Sequence, residues 1–387
     1  MINYYLAKKI DRFLSLRLFA IFFIAINKLV SKFTRKISLQ SVDTLYVTKL
    51  LGGGSLCILI PYLAELKDEN NIRIVLVSSR VCTTFSDELE MFDESIKLDT
   101  LKGSIRFICL AFVNIYKRML GKNRSISINF EFHSAISAYV SSFTFAPFNW
   151  GVMNNFSQSF SKIYDGTVFY NGHSNVGDVY YKLIKDSFGC GSLLPINKET
   201  SAISRYVKKI EKNIVLEDFG IYDEYIAISP FSSGLSRERE LSHQQLFAVL
   251  AKLNPNNLGI FILGSAADQL NANKFIRNFN LNHFNHKIIS LCGNLSISAS
   301  AKVARSASVY ITIDSGLNHY VRMTEAKLIH SYWGPTNPFL MLDQSFYFGK
   351  EMIHYKKIYC SPCVHIIDKP PCNGKNICIE GLFGNGK

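Results

Sequence analysis

The chain has 387 residues, 48% of them hydrophobic, and a formal charge of +13 at neutral pH. That size and apolar content can fill two cores, which excludes a disordered or low-complexity protein. A basic chain can attract nucleic acid, but no zinc-finger or RNA-recognition signature accompanies the charge, so no nucleic-acid partner is expected.

Residues 1–40 hold Lys8, Lys9, Arg12, Arg17, Lys28, Lys32, Arg35 and Lys36 against Asp11 alone, so over half of the net charge lies at one end. Within them Leu18–Ile26 is an apolar run of nine residues, too short for a bilayer crossing of about twenty. A secretory signal would share the charge and the apolar run, yet basic residues stand where a small-residue cleavage site would follow. The segment reads as a helix lying on an anionic cytoplasmic leaflet. The same pattern also suits an amphipathic helix docked on the protein itself.

Residues 41–215 form a first expected domain. It starts with the strand Thr44–Thr48, the turn Gly52-Gly53-Gly54-Ser55, an apolar helix containing Pro61, and the strand Ile72–Val77. A further strand, Ser125–Phe130, leads through Glu131, Phe132 and His133 into a helix over Ala135–Val140. The break between domains is expected around residues 200–220. Residues 216–387 then alternate strongly, with strands at Tyr225–Ile228, Ile260–Leu263, Ile288–Leu291, Val309–Ile313 and Leu328–Tyr332, separated by segments of helical period. Such alternation implies right-handed crossovers and a parallel sheet covered on both faces. Ligands of such sheets bind beyond the carboxyl ends of the strands, where Gly264 and Asp314 fall.

Candidate sites follow those strand ends. Asp314-Ser315-Gly316-Leu317-Asn318-His319 joins a strand to a helix start, where unpaired amides and the helix dipole can hold an anion. Gly316 permits close approach of a ligand, while the plainer reading is that Asp314 or Ser315 caps the helix and His319 is a core histidine. Trp333-Gly334-Pro335-Thr336-Asn337-Pro338 follows fourteen residues after His319. Ser232-Ser233-Gly234 precedes Arg237 and Arg239, which could offset a pyrophosphate by bidentate hydrogen bonds. Asp268, after Gly264, could meet ribose hydroxyls or cap a helix. Gly52-Gly53-Gly54-Ser55 could cradle a phosphate or sugar, or be a tight turn; it is neither a dinucleotide fingerprint nor a Walker loop.

Of nine cysteines, Cys57, Cys82, Cys109, Cys190 and Cys292 are scattered in apolar surroundings, so a disulfide scaffold is not expected. Cys360, Cys363, Cys372 and Cys378 cluster in a Pro- and Gly-containing segment. Cys360-x2-Cys363 has zinc-ligand spacing and the second pair a looser one, making a structural zinc conceivable.

Gly264–Asp268, Leu291-Cys292-Gly293, Asp314–His319, Trp333–Pro338 and the Cys360-Ser361-Pro362-Cys363 block occur in the order and approximate spacing of the ADP-heptose:lipopolysaccharide heptosyltransferase family, glycosyltransferase family nine. The chain resembles that family well over about residues 224–380 and more faintly over 43–150. The resemblance implies an α/β GT-B fold, with two Rossmann-like domains facing a cleft, nucleotide sugar on the C-terminal one and acceptor on the N-terminal one. It also implies inverting transfer without a metal or other cofactor. Carried over by position, Asp314, Ser315, Gly316 and His319 would contact the donor's pyrophosphate and sugar. Arg239 would replace a phosphate-binding lysine, with Ser232 and Ser233 beside it, and Asp268 would meet the nucleoside.

One departure bears on catalysis. The family typically has Gly-Asp six residues before a proline, with that Asp as the proposed general base; here the positions are Gly54 and Ser55 before Pro61. An unaided serine is no base near neutral pH. Glu131, following its strand, is the substitute to examine, with solvated helix capping as its alternative; His133 and His173 are weaker candidates. Gly53, Gly54 and His133 are expected on the acceptor side. The expectation is a glycosyltransferase using a nucleoside-diphosphate sugar such as ADP-heptose, acting on a lipopolysaccharide-type or other glycan acceptor at the inner face of the cytoplasmic membrane. A silent sugar-nucleotide binder of the same fold is the rival that Ser55 favours.

Overall fold

The structure, a computed structural model, describes residues 13, 17–32, 41–189, 202–211, 216–217, 224–232, 237–253, 258–281, 287–323, 325–343, 349–364, 366–367 and 370–383. The chain divides into two compact units, residues 1–203 and 204–387.

The first unit is built on six strands: β1 Thr44–Thr48, β2 Arg73–Ser78, β3 Glu94–Lys97, β4 Ser125–Asn129, β5 Phe148–Met153 and β6 Gly166–Phe169. They lie in the order β3-β2-β1-β4-β5-β6, all parallel, with Thr44 level with both Arg73 and Ser125. Central strands in such a sheet are covered on both faces, and Ser125–Asn129 is buried throughout. Its helices of six residues or more are α1 Arg17–Lys32, α2 Gly53–Asn70, α3 Leu101–Met119, α4 Ala135–Phe143 and α5 Val176–Phe188, while α6 Ala202–Glu211 straddles the unit boundary. Side-chain caps start three of them: Thr100 accepts from Gly103 N, Ser134 from Ser137 N, and Asn175 from Gly177 N.

Helix α1 extends beyond the nine-residue apolar run and does pack on its own unit. Phe23 stacks on Tyr139 of α4 at 4.6 Å, and Asn27 donates to Ser142 Oγ at 2.7 Å. Its other face leaves Ile21, Phe22 and Leu29 exposed. Lys8, Lys9, Arg12, Arg35 and Lys36 lie outside the described residues. No described helix is long and apolar enough to cross a membrane.

The second unit repeats the plan with β7 Tyr225–Ser229, β8 Gly259–Ile262, β9 Ile288–Ser290, β10 Val309–Ile313, β11 Leu328–Trp333 and β12 Lys350–Tyr355. Their order is β12-β11-β10-β7-β8-β9, again wholly parallel and again with the fourth strand beside the first. Its described helices of six residues or more that lie wholly within it are α7 His243–Leu253, α8 Gln269–Leu281, α9 Ile297–Ser306 and α10 Gly316–Val321. Ile226, Ile228, Ile260, Ile262, Ile311 and Ile313 meet Leu246, Val249 and Leu250 of α7 and Phe275 and Phe279 of α8 in one core. In each unit the connections therefore reverse direction between the first and fourth strands, β1/β4 and β7/β10. That reversal opens a crevice at their carboxyl ends.

Candidate active site

In the second unit the crevice is dominated by Asp314, which follows β10. Its Oδ2 accepts from Arg239 Nη1 at 3.3 Å and its Oδ1 lies 3.4 Å from His319 Nε2, with Asp314 and His319 buried. Burial pushes the Asp314 carboxyl up, but Arg239, His319 and the Thr336 hydroxyl outweigh it and hold the carboxyl well below the usual carboxylate range. Asp314 is thus an ionised group orienting a guanidinium and an imidazole. The Trp333 ring meets His319 edge to face at 6.3 Å, so the two motif blocks touch.

Ser315 is the N-cap of α10, its hydroxyl accepting from Asn318 N at 3.3 Å, which realises the capping role for that residue. Gly316 opens the helix behind it. Ser232 gives both its amide and its hydroxyl to Glu240 Oε1, at 3.0 and 3.1 Å. Ser233 lies outside the described residues. Asp268 forms a capping box with Ser265, accepting from its amide at 2.8 Å and its hydroxyl at 2.7 Å, so capping occupies the oxygen nearest Ser265.

The cysteine segment is a brace for the Trp333–Pro338 loop. Cys363 N and Val364 N both donate to Pro335 O, and Ser361 Oγ donates to Gly334 O. A Cβ on Gly334 would stand 2.5 Å from Ile379 Cγ1 and 2.9 Å from Cys378 Sγ, so this close approach requires glycine. Burial, with neighbouring cysteines adding to it, pushes the Cys363 thiol up and the Cys378 thiol up to about 11. Among the described residues no group of three His, Cys, Asp or Glu side chains is placed to hold a metal ion.

In the first unit Gly52 has φ +77° and α2 begins at Gly53, where a Cβ would fall 2.1 Å from the Phe85 ring. Gly54 and Ser55 occupy the first turn of α2, and Ser55 Oγ donates to Gly52 O at 2.8 Å. Glu131, after β4, is not a solvated glutamate. Its Oε2 pairs with Lys49 Nζ at 2.8 Å, and its Oε1 accepts from Leu50 N at 2.8 Å and Leu51 N at 2.6 Å. Burial pushes the Lys49 ammonium down, but Glu131 above all, with Tyr180 and Cys82, outweighs it and holds the group above its ordinary range. Tyr180, fully buried, has its hydroxyl beside Ser55 and this pair and is pushed up to about 12. His133 is exposed next to Phe132 and Phe156; His173 is also exposed, in the loop before α5.

Lys49, Tyr180 and Glu240 were not among the residues picked from the sequence. Only Lys49 carried a signal: a lysine directly after a buried strand must find a counter-charge.

The model of glycosyltransferase family 9 (heptosyltransferase) matches residues 117–372. The chain belongs to glycosyltransferase family 9. No curated protein matches it. Among solved structures, a family 9 glycosyltransferase from Veillonella parvula DSM 2008 is 16% identical with a TM-score of 0.58, covering 82% of this chain and 87% of that one. E. coli ADP-heptose lps heptosyltransferase II gives 13% and 0.58, over 82% and 91% of the two chains. E. coli heptosyltransferase WaaC with ADP gives 12% and 0.60, over 88% and 98%. This family 9 member has the GT-B fold, two parallel six-stranded α/β units of the same strand order. Glu131 and the Asp314–His319 block fall within the matched range and Ser55 outside it.

Proposed function

We propose that this protein is an inverting glycosyltransferase that takes its sugar from a nucleoside diphosphate of the ADP-heptose kind and delivers it to a hydroxyl of a lipopolysaccharide-type or other cell-surface glycan at the cytoplasmic face of the membrane. The cluster of half-buried Arg239 with buried Asp314 and His319 at the β7/β10 crevice carries the reading, because it fixes a cation and an imidazole beside a helix start that favours anions. WaaC was solved with ADP and with ADP-2-deoxy-2-fluoro heptose, which fits a donor of this class. The acceptor oxygen would attack the anomeric carbon while the diphosphate leaves, its growing charge met by Arg239 and the amides near Gly316. No metal is invoked.

A catalytically silent sugar-nucleotide binder is the second reading. It is favoured by Ser55, which puts no carboxylate on the first turn of α2, and by the three donors that already engage Glu131. A thermal-shift titration with ADP, ADP-heptose and other nucleotide sugars tests donor binding, with Gly316→Val as the control. Stabilisation lost in the folded variant supports the assignment; unchanged stabilisation refutes it. Transfer to a verified acceptor then separates enzyme from silent binder.

A further inference from the structure

Helix α3 buries a mixed face, Gly103, Phe107, Ala111, Asn114 and Arg118, and turns an apolar one outward. Phe107 packs into the sheet against Tyr46, Val75, Val77 and Ile96, with its ring 5.9 Å from Phe143 of α4. On the other side Leu101, Ile105, Ile108, Phe112, Tyr116 and Met119 recur at intervals of three or four residues and are 46–81% exposed. A helix at the surface of a soluble protein ordinarily shows polar residues there. So long an apolar stripe marks a contact surface.

Charge identifies the partner. Residues 101–124 contain Lys102, Arg106, Lys117, Arg118, Lys122 and Arg124 and no acidic residue. Arg106 pairs with Glu94 and Arg118 is buried, whereas Lys102, Lys117, Lys122 and Arg124 are exposed. At 100° per residue Lys102, Arg106 and Lys117 follow one border of the stripe. Helix α1 rests on the same α4 and turns out Ile21, Phe22 and Leu29, with Arg17, Lys28 and Lys32 as its only charged residues. A second copy of this chain would bring two basic borders together, which is not self-complementary. Lipid phosphates supply the missing sign.

We propose that the outer faces of α3 and α1 dock the first unit on an anionic lipid bilayer, with α3 in the interface plane, its stripe against the acyl chains and its lysines among the headgroups. This surface is independent of the donor assignment.

The test uses the full chain and sedimentation with two kinds of vesicle, phosphatidylglycerol mixed with phosphatidylcholine, and phosphatidylcholine alone. The protein should pellet with the first and stay in solution with the second. Ile105→Ser combined with Phe112→Ser, both at exposed positions, should weaken binding by at least about tenfold from the lost apolar burial alone. Phe112→Trp offers a readout that does not depend on that variant folding. Its fluorescence should shift to the blue on anionic vesicles, over the constant background of Trp150 and Trp333. Absence of binding to anionic vesicles, a double variant that binds like the parent, or an unshifted tryptophan would each overturn the proposal. So would a dimer in solution that the double variant dissociates, since the stripe would then belong to a second copy.

Discussion

Glu131→Gln separates two duties that a carboxylate after β4 could have. The side chains of Lys49 and Glu131 are only 3% and 8% exposed, so the pair has little water to fall back on. Glutamine keeps one carbonyl oxygen, which can still accept from Leu50 and Leu51, but it sets an NH2 group against the Lys49 ammonium. A buried charge that loses its partner costs about 3–5 kcal/mol. For a unit of roughly 200 residues that corresponds to a drop in melting midpoint of roughly 6–20 °C. Lys49→Met should be costly as well, because Glu131 then loses its counter-charge and keeps only the Leu50 and Leu51 amides. The double variant should recover a large part of the loss, because no unpaired charge remains. Melting followed by near-ultraviolet circular dichroism, with all four proteins compared, measures the coupling. If Glu131→Gln melts like the parent while sugar transfer collapses, Glu131 is a general base and its reading here as the anchor of the Leu50–Leu51 turn is wrong.

Gly53→Ala should cost about 1–3 kcal/mol in urea denaturation, an overpacking penalty, because the new Cβ would lie 2.1 Å from the Phe85 ring. In the second unit burial first, then His354 and Lys252, pushes His330 down from 6.5 to about 4, and His354 is also lowered. The unfolded chain takes up protons between those values that the folded one refuses, so stability should hold above about pH 6.5 and fall toward about pH 4. His330→Asn should flatten that part of the melting-versus-pH curve relative to the parent. Ser55→Ala should leave most transfer activity, because the hydroxyl is bonded to Gly52 O and has no basic role. Ser55→Asp should raise turnover without changing donor affinity, and an unchanged rate would show that the first turn of α2 is not where the acceptor proton goes.

The second unit was legible because its strands are short, apolar and separated by helices of regular period. The strand read at Val309–Ile313 is β10 residue for residue, and the parallel sheet follows from the alternation of strand and helix. Much of the first unit was not. Strand β3, Glu94–Lys97, is polar at both ends and lies at the edge of the sheet. β5 and β6 contain Gly151 and Gly166, which weaken any strand signal; the structure explains them, since a Cβ at either would strike the ring of Tyr164 or Trp150. At the site, the cap at Ser315 and the capping box at Asp268 depend on local spacing, which sequence carries. The Lys49–Glu131 pair joins residues 82 apart in sequence, and only the parallel register of β1 with β4 brings them together.

That pair has a counterpart in the second unit, and the comparison bears on mechanism. In both units a carboxylate follows the fourth strand and a cation lies near the end of the first, Glu131 with Lys49 and Asp314 with Arg239. The strand order puts them in equivalent crevices, so the fold alone does not decide what each carboxylate does; its donors do. Glu131 meets two backbone amides and an ammonium, all from the segment after β1, and its charge is spent on holding that segment in place. Asp314 meets side chains from different elements, Arg239, His319 and Thr336, and its charge holds a guanidinium and an imidazole at a helix start. The second arrangement presents cationic and hydrogen-bonding groups to an anion, which is what departure of a diphosphate requires. The first holds the turn after β1, and the Glu131→Gln comparison tests whether the same carboxylate also takes the acceptor proton. Binding chemistry is therefore the better supported half of the transferase reading, and the variants at Ser55 and Glu131 bear on the other half.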